Sequence, residues 1–432
     1  MKKILLFFIF GIFSFTAKTQ SLYFPPTTGI VWDTVSPASM GWCGDEIDTL
    51  YNFLGQTNTK AFIVLHDGKI AIEKYFGTFT SDSLWYWASA GKSLTSFLVG
   101  IAQQEGYLSI SDTASKYLGE GWTACPPDKE IKITIRHQLT MTTGLDDAVD
   151  DNYCTIDTCM QYLADAGTRW AYHNAPYTML DPLIEEATGQ NLNAYFHSKV
   201  GTFTGINGAY FPNGYNNIFV SNARNMARFG LLVLNRGKWN TILVLTDTSY
   251  FNQMVNTSQT LNNSYGYLWW LNGKSSFMVP NLQYVFQGSI EPDAPADMIS
   301  ALGKNGQIIN VVPGRNLVII RMGNEPGASE VSITYNNDIW KILNKIFCNT
   351  HGLNDNTSVD AFNIFPNPAS DILNITLNNE LHSTYQISDL TGRIQITGTN
   401  ASKLDITGLT KGVYLFSIRL DQKTYIRKLI IE

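Results

Sequence analysis

The sequence has 432 residues, which is long enough to bury a large core and too long for one ordinary domain. Charged residues make up 15% and aromatic residues 12%, which excludes a disordered or coiled-coil chain. The net charge is only −6, and no basic run occurs outside the extreme N-terminus, so nucleic acid and anionic membrane surfaces are not expected partners.

The first twenty residues have the features of a secretory signal peptide. Lys2 and Lys3 precede an apolar run over residues 4–15, and a small, polar stretch follows at 16–20. The apolar run is too short to span a membrane, and no later stretch approaches ~20 apolar residues. Residues 1–20 are therefore predicted to be removed on export, leaving a mature protein without a membrane span.

The mature chain begins with a predicted helix over residues 44–55. The runs AFIVLH and KIAIEKYFG flank Asp67-Gly68, which is a strong hairpin signal. A second helix is predicted from about Ser89 to Glu105, with Gly106 as its C-terminal cap. A region made mostly of helices and loops is expected from there to about residue 260.

Strand patterns return in the last part of this region. SYGYLWWLN is followed by GQIINVV and LVIIRMG, two alternating apolar runs that a PGRN turn separates. An amphipathic helix over residues 339–347 closes the segment. Residues 21–350 are thus predicted to form an α+β domain, with an antiparallel sheet covered by helices and a helical subdomain.

The composition changes near residue 350. Residues 351–360 are polar and rich in turn formers, as in a linker. Residues 361–432 contain short alternating strands, which predict a small β-sandwich. Few aromatic residues are available on these strands for sugar stacking, so a carbohydrate-binding module is the weaker interpretation.

Five cysteines in an exported chain allow at most two internal disulfides. Cys43 and Cys348 lie at the ends of the first and last predicted helices and would pair if those helices pack together. Cys154 and Cys159 are local neighbours in a loop, and Cys125 competes for either pair. Their spacing does not resemble a metal site, and we expect neither a metal nor another cofactor.

The clearest chemical signal is Ser89-Ala90-Gly91-Lys92. Residues three apart at a helix start share a face, so the lysine can contact the serine. A lysine desolvated among neighbouring aromatic residues has a lowered pKa and can accept the serine proton. A solvated surface lysine is the competing interpretation of this short pattern.

Further motifs follow in an order that favours the catalytic interpretation. Tyr172-His173-Asn174 supplies a Tyr-x-Asn, a pattern that also occurs at residues 215–217 and 335–337. Its flanking sequence GTRWAYHNAPY and its place in the helical region favour Tyr172. The segment SALGKNGQ then brings Gly303 to the start of a strand, where close backbone approach can present an N–H group to an oxyanion.

Together these motifs resemble the serine β-lactamase and penicillin-binding-protein superfamily, in particular its class-C-like esterases and its 6-aminohexanoate-dimer hydrolase branch. The resemblance covers roughly residues 40–347. It implies an acyl-enzyme mechanism in which Ser89 is the nucleophile, Lys92 its base and Tyr172 the general acid/base. It also implies supporting or substrate-binding roles for Asn174, His173, Gly303 and Lys304, with the backbone N–H groups of Ser89 and Lys304 forming an oxyanion hole.

The third motif departs from the commonest family pattern. Ala301-Leu302-Gly303 stands where Lys-Thr-Gly is usual, which removes the carboxylate clamp expected for β-lactams and peptidoglycan stems. The expected substrate is therefore a small ester or amide. A DD-carboxypeptidase or β-lactamase, and a catalytically silent surface binding protein, remain the alternatives.

The C-terminal region resembles a type IX secretion sorting domain. The resemblance rests on FPNP at 365–368, Gly392-Arg393, LTKGVY at 409–414 and the closing KLII at 428–431. It implies that the type IX machinery is a partner and that the protein is secreted or displayed at the cell surface.

Overall fold

The computed structural model describes residues 22–327, 332–348, 362–377, 383–389, 393–420 and 423–432. The predicted signal peptide and the predicted linker at 351–360 lie outside these residues. The described residues divide into two compact units, with the division after residue 348. Within the described residues, no helix has the length and apolar character needed to cross a membrane.

The first unit combines short and long strands with helices throughout its length. Its strands are β1 Thr59–His66, β2 Lys69–Tyr75, β3 Trp85–Tyr86, β4 Gly208–Asn213, β5 Asn216–Ser221, β6 Lys238–Trp239, β7 Ile242–Leu243, β8 Trp270–Leu271, β9 Ser276–Phe277, β10 Phe286–Gln287, β11 Ile299–Gly303, β12 Gln307–Val312 and β13 Leu317–Gly323. Its helices are α1 Asp45–Gln56, α2 Gly91–Gln104, α3 Ser115–Leu118, α4 Pro127–Glu130, α5 Ile135–Leu139, α6 Asn174–Thr178, α7 Leu180–Thr188, α8 Leu192–Phe196, α9 Thr202–Thr204, α10 Ala223–Leu234, α11 Thr248–Met254 and α12 Ile333–Ile346.

A six-stranded antiparallel sheet forms the core of this unit, in the order β2-β1-β13-β12-β11-β8. The middle strands are buried along nearly their whole length, as expected when helices cover both faces. Helix α10 packs on β12 and β13, while α1 packs on α12. Smaller β-sheets join β3, β5 and β4, and β9 and β10. The predicted α+β fold, with an antiparallel sheet between helices, is confirmed.

Two predicted helices differ in their boundaries. Residues 88–90 form a 3-10 turn and the α-helix itself starts at Gly91, so Ser89 precedes the helix instead of opening it. The last helix begins at Ile333, six residues earlier than the sequence predicts. Polar Asn336 and Asn337 interrupt the apolar pattern there, but both are buried; Asn336 hydrogen-bonds inside the core with Asn310 and Glu291.

The predicted disulfides are confirmed. Cys43 pairs with Cys348 across a sequence separation of 305 residues, and Cys154 pairs with Cys159 within one loop. Cys125 remains a free, half-buried thiol. The long-range bridge joins the start of α1 to the end of α12, the two helices that pack together.

The second unit is a small two-sheet structure. One sheet has the order β14-β15-β18 and the other β17-β16-β19-β20, and one apolar cluster lies at its centre. The strands are β14 Phe362–Phe365, β15 Ile372–Leu377, β16 Ser383–Asp389, β17 Ile394–Thr399, β18 Lys403–Asp405, β19 Gly412–Leu420 and β20 Lys423–Ile431. The predicted C-terminal β-sandwich is confirmed.

Candidate active site

Ser89 lies on a tight turn between β3 and α2. The preceding residue, Ala88, has a φ of 48°, in the left-handed region that a residue with a Cβ adopts at an energetic cost. Residues 91–102 of α2 are all buried, so the helix that follows is fixed firmly in the core. The turn thus holds Ser89 half-exposed above a rigid helix.

Lys92 lies in the first turn of α2 and contacts Ser89 directly. Its Nζ donates a hydrogen bond to Ser89 Oγ at 2.7 Å, and the residue is 3% exposed. Burial lowers the pKa of Lys92 to about 7, against the opposing pull of the Asp181 carboxylate. Lys92 Nζ also lies 4.0 Å from the ring centre of Tyr177 and 5.2 Å from that of Tyr172. At neutral pH a large fraction of this amine is therefore uncharged and can accept a proton from the serine.

Tyr172 is the second group that reaches the serine. Burial raises the pKa of Tyr172 well above its usual value, against a smaller lowering by the neighbouring Ser89 side chain, so the phenol stays protonated. The ring stacks on Trp270 of β8, with 5.7 Å between ring centres, and lies edge-on to Tyr265. This packing fixes the ring beside the Ser89–Lys92 pair.

The other residues of the Tyr-x-Asn motif have different surroundings. Asn174 begins α6, donates from Nδ2 to Asn152 Oδ1 at 3.1 Å and, together with Asn152, lines a cavity beside Ser89. His173 is 2% exposed, and burial lowers its pKa to about 4. Its side chain is not among the described residues that line either cavity next to Ser89. His173 therefore does not contact either cavity in a way that would give it the predicted supporting role.

Gly303 ends β11 directly against the turn that carries Ser89. A Cβ built at Gly303 would lie 2.5 Å from Trp87 O, 2.9 Å from Ala90 N and 3.1 Å from Ser89 N. Only a residue without a side chain permits this approach of strand to turn. The strand end thereby lies alongside the Ser89 backbone, and Lys304 follows as the next residue.

The turn after Gly303 is fixed by a buried arginine on β13. Arg321 is fully buried, and its Nη1 donates to the carbonyl oxygens of Asn305 at 2.6 Å and Gly306 at 2.9 Å. Asn305 in turn donates from Nδ2 to the hydroxyl of Tyr86 at 2.7 Å, on the strand before Ser89. The backbone around Lys304 is therefore held in a defined position relative to Ser89.

Two cavities meet at Ser89. The hairpin cavity, about 500 Å³, is bounded by the β4–β5 hairpin; the loop cavity, about 680 Å³, is bounded by residues 277–281 and the start of α12. Ser89, Tyr153 and Lys304 line both cavities. Apolar and uncharged polar side chains dominate the linings, and the charged side chains among them are the two lysines, Lys92 and Lys304.

The other two Tyr-x-Asn matches lie elsewhere. Tyr335 is in α12, where its hydroxyl hydrogen-bonds Thr57 at 2.7 Å, and Tyr215 is exposed at the tip of the β4–β5 hairpin. Asn216, the middle residue of the match at 215–217, lines the hairpin cavity.

The sequence interpretation missed several residues around the site: Tyr153, Tyr177, Asp181 and Trp270. The sequence contained one indication that Asp181 is buried. Its carboxyl group lies between Leu180 and Leu183-Ile184, on the apolar face that this helix packs against the core.

Comparisons with known proteins agree with this fold and geometry. Residues 53–339 match the family model for beta-lactamase, and residues 363–432 match that for the secretion system C-terminal sorting domain. The chain therefore belongs to the beta-lactamase family, whose members are generally serine hydrolases. Its sorting domain directs export by type IX secretion to the cell surface or beyond.

Similar proteins and solved structures match this chain at low sequence identity. An uncharacterized protein of Alkalihalophilus pseudofirmus is 25% identical over 305 residues, which cover 62% of this chain and 84% of the relative. The putative 6-aminohexanoate-dimer hydrolase of Bacillus anthracis superposes with a TM-score of 0.57 at 19% identity, over 75% of this chain and 91% of that one. A putative beta-lactamase of Bacteroides dorei gives a TM-score of 0.56 at 17% identity, over 71% and 99%.

Proposed function

We propose that the chain hydrolyses a small ester or amide through an acyl-serine intermediate. The observation that carries this proposal is the 2.7 Å hydrogen bond between Ser89 Oγ and a buried lysine whose pKa is lowered to about 7. A weak nucleophile becomes reactive when an adjacent base can take its proton, and an uncharged amine at this distance meets that requirement. The rate of acylation should accordingly rise with pH through about 7, as Lys92 loses its proton.

In the acylation step, Lys92 Nζ takes the proton of Ser89 while Oγ attacks the carbonyl carbon of the substrate. The carbonyl oxygen then carries the negative charge, and the backbone N–H groups of Ser89 and Lys304 stabilise it. Tyr172 gives its proton to the departing oxygen or nitrogen as the bond to the carbonyl carbon breaks. The proton on Lys92 restores the phenol of Tyr172.

Deacylation reuses the same groups in reverse order. A water molecule loses a proton to the neutral Lys92, directly or through Tyr172, and attacks the acyl carbon. The bond between the carbonyl carbon and Ser89 Oγ breaks, and Oγ recovers a proton. The products are a carboxylic acid and a free enzyme in its starting protonation state.

The cavities support a substrate that is uncharged or acidic. Their linings include two lysines and no carboxylate, so a cationic substrate would find no opposite charge among the described lining residues. Ala301 and Leu302 are buried and offer neither the hydroxyl nor the ammonium of a Lys-Thr-Gly motif. This supports an esterase or small-amide hydrolase over a β-lactamase or DD-carboxypeptidase.

The position of Tyr172 supports one orientation of the substrate. Tyr172 lines the loop cavity but not the hairpin cavity, so the group that it protonates enters the loop cavity. The acyl group then occupies the hairpin cavity, against apolar Phe211, Ile218 and Val220.

The test compares Ser89→Ala with the wild type on p-nitrophenyl esters of increasing acyl length. Hydrolysis should fall by about 10⁶-fold in the variant, because serine and base act as a unit. Ser111→Ala, at an exposed serine outside both cavities, is the matched control and should retain full activity. A fluorophosphonate probe should label Ser89 in the wild type, with loss of fluoride.

Unchanged ester turnover in Ser89→Ala would contradict the proposal. Absence of both turnover and labelling in the wild type would favour the silent binding protein instead. Covalent labelling by a fluorescent penicillin, with slow or absent ester turnover, would favour the β-lactamase or DD-carboxypeptidase alternative.

A further inference from the structure

The loop cavity continues outward over three aromatic side chains that the mechanism above does not use. Phe277 lines this cavity from β9, and Phe286 lies directly opposite it on β10. These two rings are stacked, with 5.2 Å between their centres, and the ring of Tyr284 lies edge-on to Phe286 at 4.8 Å. Phe277, Phe286 and Tyr284 together are termed the aromatic track.

The aromatic track runs from the cavity to the protein surface. Phe277 and Phe286 are half-buried, whereas Tyr284 is 62% exposed. Its neighbours Leu282 and Val285 are exposed as well. Large apolar side chains that are exposed together beside a cavity are typical of a ligand-binding groove.

Hydrogen bonds fix both ends of the segment that carries the track. Gln283 donates from Nε2 to the carbonyl oxygen of Trp170 at 3.0 Å, and Trp170 is buried two residues before Tyr172. At the β9 end, the Ser276 hydroxyl accepts a hydrogen bond from Asn263 Nδ2 at 2.9 Å. The rings are therefore preorganised next to the residues that lead to Tyr172, which reduces the cost of ordering them around a ligand.

The segment that carries the track is uncharged. Residues 275–290 contain no acidic or basic residue. Val279, Pro280 and Ile290 extend the apolar lining of the loop cavity on the same segment. The charged side chain among the described residues that line this cavity is Lys304, which belongs to the turn after β11. The surface that leads out of the cavity is thus suited to an uncharged, apolar group.

We propose that the aromatic track is a subsite for the leaving group, and that the preferred substrates are esters or amides of an uncharged alcohol or amine that bears an aromatic ring. The proposal rests on the proposed function, in which the leaving group enters the loop cavity beside Tyr172. Phe286 contacts both other rings, so an apolar group that passes Phe277 on its way out of the cavity stays against aromatic surface. Stacked and edge-on contacts favour an aromatic ring there beyond the burial of its area.

The experiment compares kcat/KM for three esters. Ethyl butyrate is the reference, phenylbutyl butyrate carries a ring on the leaving group, and ethyl phenylpentanoate carries a ring on the acyl group. The leaving-group preference is the ratio of kcat/KM for phenylbutyl butyrate to that for ethyl butyrate, and it should be at least about 10-fold in the wild type. Tyr284→Ala should lower this preference by roughly 3–10-fold, because one aromatic contact is lost.

Two comparisons separate the ring of Tyr284 from other effects of its replacement. Tyr284→Phe keeps the ring and should retain the wild-type preference. Tyr107→Ala is the matched control, because it removes a tyrosine ring that is 41% exposed and outside both cavities, and it should also retain the preference. The ratio of kcat/KM for ethyl phenylpentanoate to that for ethyl butyrate should be the same in Tyr284→Ala and in the wild type, since the acyl ring enters the hairpin cavity.

A second variant tests the middle of the track. Phe286→Leu keeps an apolar side chain on β10 but removes the ring that contacts both others, so it should also lower the leaving-group preference. A wild-type preference in both Tyr284→Ala and Phe286→Leu would overturn the proposal, and it is the result expected if the exposed rings contact another protein molecule instead.

Two other results would also overturn the proposal. An equal loss of kcat/KM for all three esters would show that the rings have only a structural role. A change confined to ethyl phenylpentanoate would show that the track holds the acyl group. Failure of the proposed function would be distinct, because the wild type would then show no Ser89-dependent hydrolysis of any of the three esters.

Discussion

Replacing Gly303 by alanine tests whether the close approach of β11 to the Ser89 turn is needed for hydrolysis. The added Cβ would lie 2.5 Å from Trp87 O and 2.9 Å from Ala90 N, both backbone atoms that cannot rotate away. A Cβ atom essentially never lies within 3.0 Å of a backbone atom from outside its own residue and chain neighbours. The strand and the turn must therefore separate by at least about 0.5 Å.

This displacement is large enough to impair an oxyanion hole. The two proposed donors lie on the two segments that separate, and such sites need their groups within ~0.5 Å of the productive geometry. Loss of one donor costs about 10²–10³ in kcat, so we expect a fall of at least about 10²-fold, or ~2.7 kcal/mol in activation free energy. Overpacking should also reduce the unfolding free energy by about 1–3 kcal/mol.

The assay is steady-state hydrolysis of a p-nitrophenyl ester, with thermal unfolding measured on the same preparations. Gly44→Ala is the control, because Gly44 has a helical φ of −60° and a Cβ there would meet nothing within 4 Å. The control should match the wild type in both measurements. A folded Gly303→Ala variant with kcat within about threefold of the wild type would refute the proposed oxyanion hole.

Two further substitutions test the proton donor and a buried acid. Tyr172→Phe keeps the ring stacked on Trp270 but removes the donated proton, so the rate of anilide hydrolysis should fall by about 10²–10⁴-fold. The rate of p-nitrophenyl ester hydrolysis should fall by less, because p-nitrophenolate departs unprotonated. Equal losses for the two substrates would exclude this role of Tyr172. Burial raises the Glu291 pKa from 4.5 to about 8, so the contribution of Glu291 to stability is complete below pH 4.5 and is lost as the pH rises to 8. In Glu291→Gln, the free energy of unfolding measured with urea should therefore change less between pH 5 and pH 8 than in the wild type. The same dependence of this free energy on pH in both proteins would contradict the prediction.

Much of the fold could be predicted from periodicity and turn chemistry. The β1–β2 hairpin, the strand pair around PGRN and the C-terminal strands have local patterns that specify their structure. The start of α12 was missed because buried asparagines resemble surface residues in a sequence. The hydrogen-bond partners of Asn336 are Asn310 and Glu291, which come from distant parts of the chain.

The candidate site was predictable only in part. The Ser89-x-x-Lys92 spacing by itself places two groups on one face, since residues three apart at a helix start are neighbours. Tyr172 was selected from three Tyr-x-Asn matches by its flanking sequence and by resemblance to a family. Tyr177 and Asp181 could not be found in this way, because their relation to Lys92 depends on how α7 packs against α2.

By itself, the sequence determined the type of domain and predicted which residues react, because both inferences depend on local spacing and hydrophobic patterning. Only the tertiary structure decided the electrostatic character of the site. The pKa of Lys92 depends on burial and on Asp181, and the approach of Gly303 to the Ser89 turn depends on the position of β11 in the sheet. Desolvation and close backbone contact arise between segments far apart in the chain, so no local pattern encodes them.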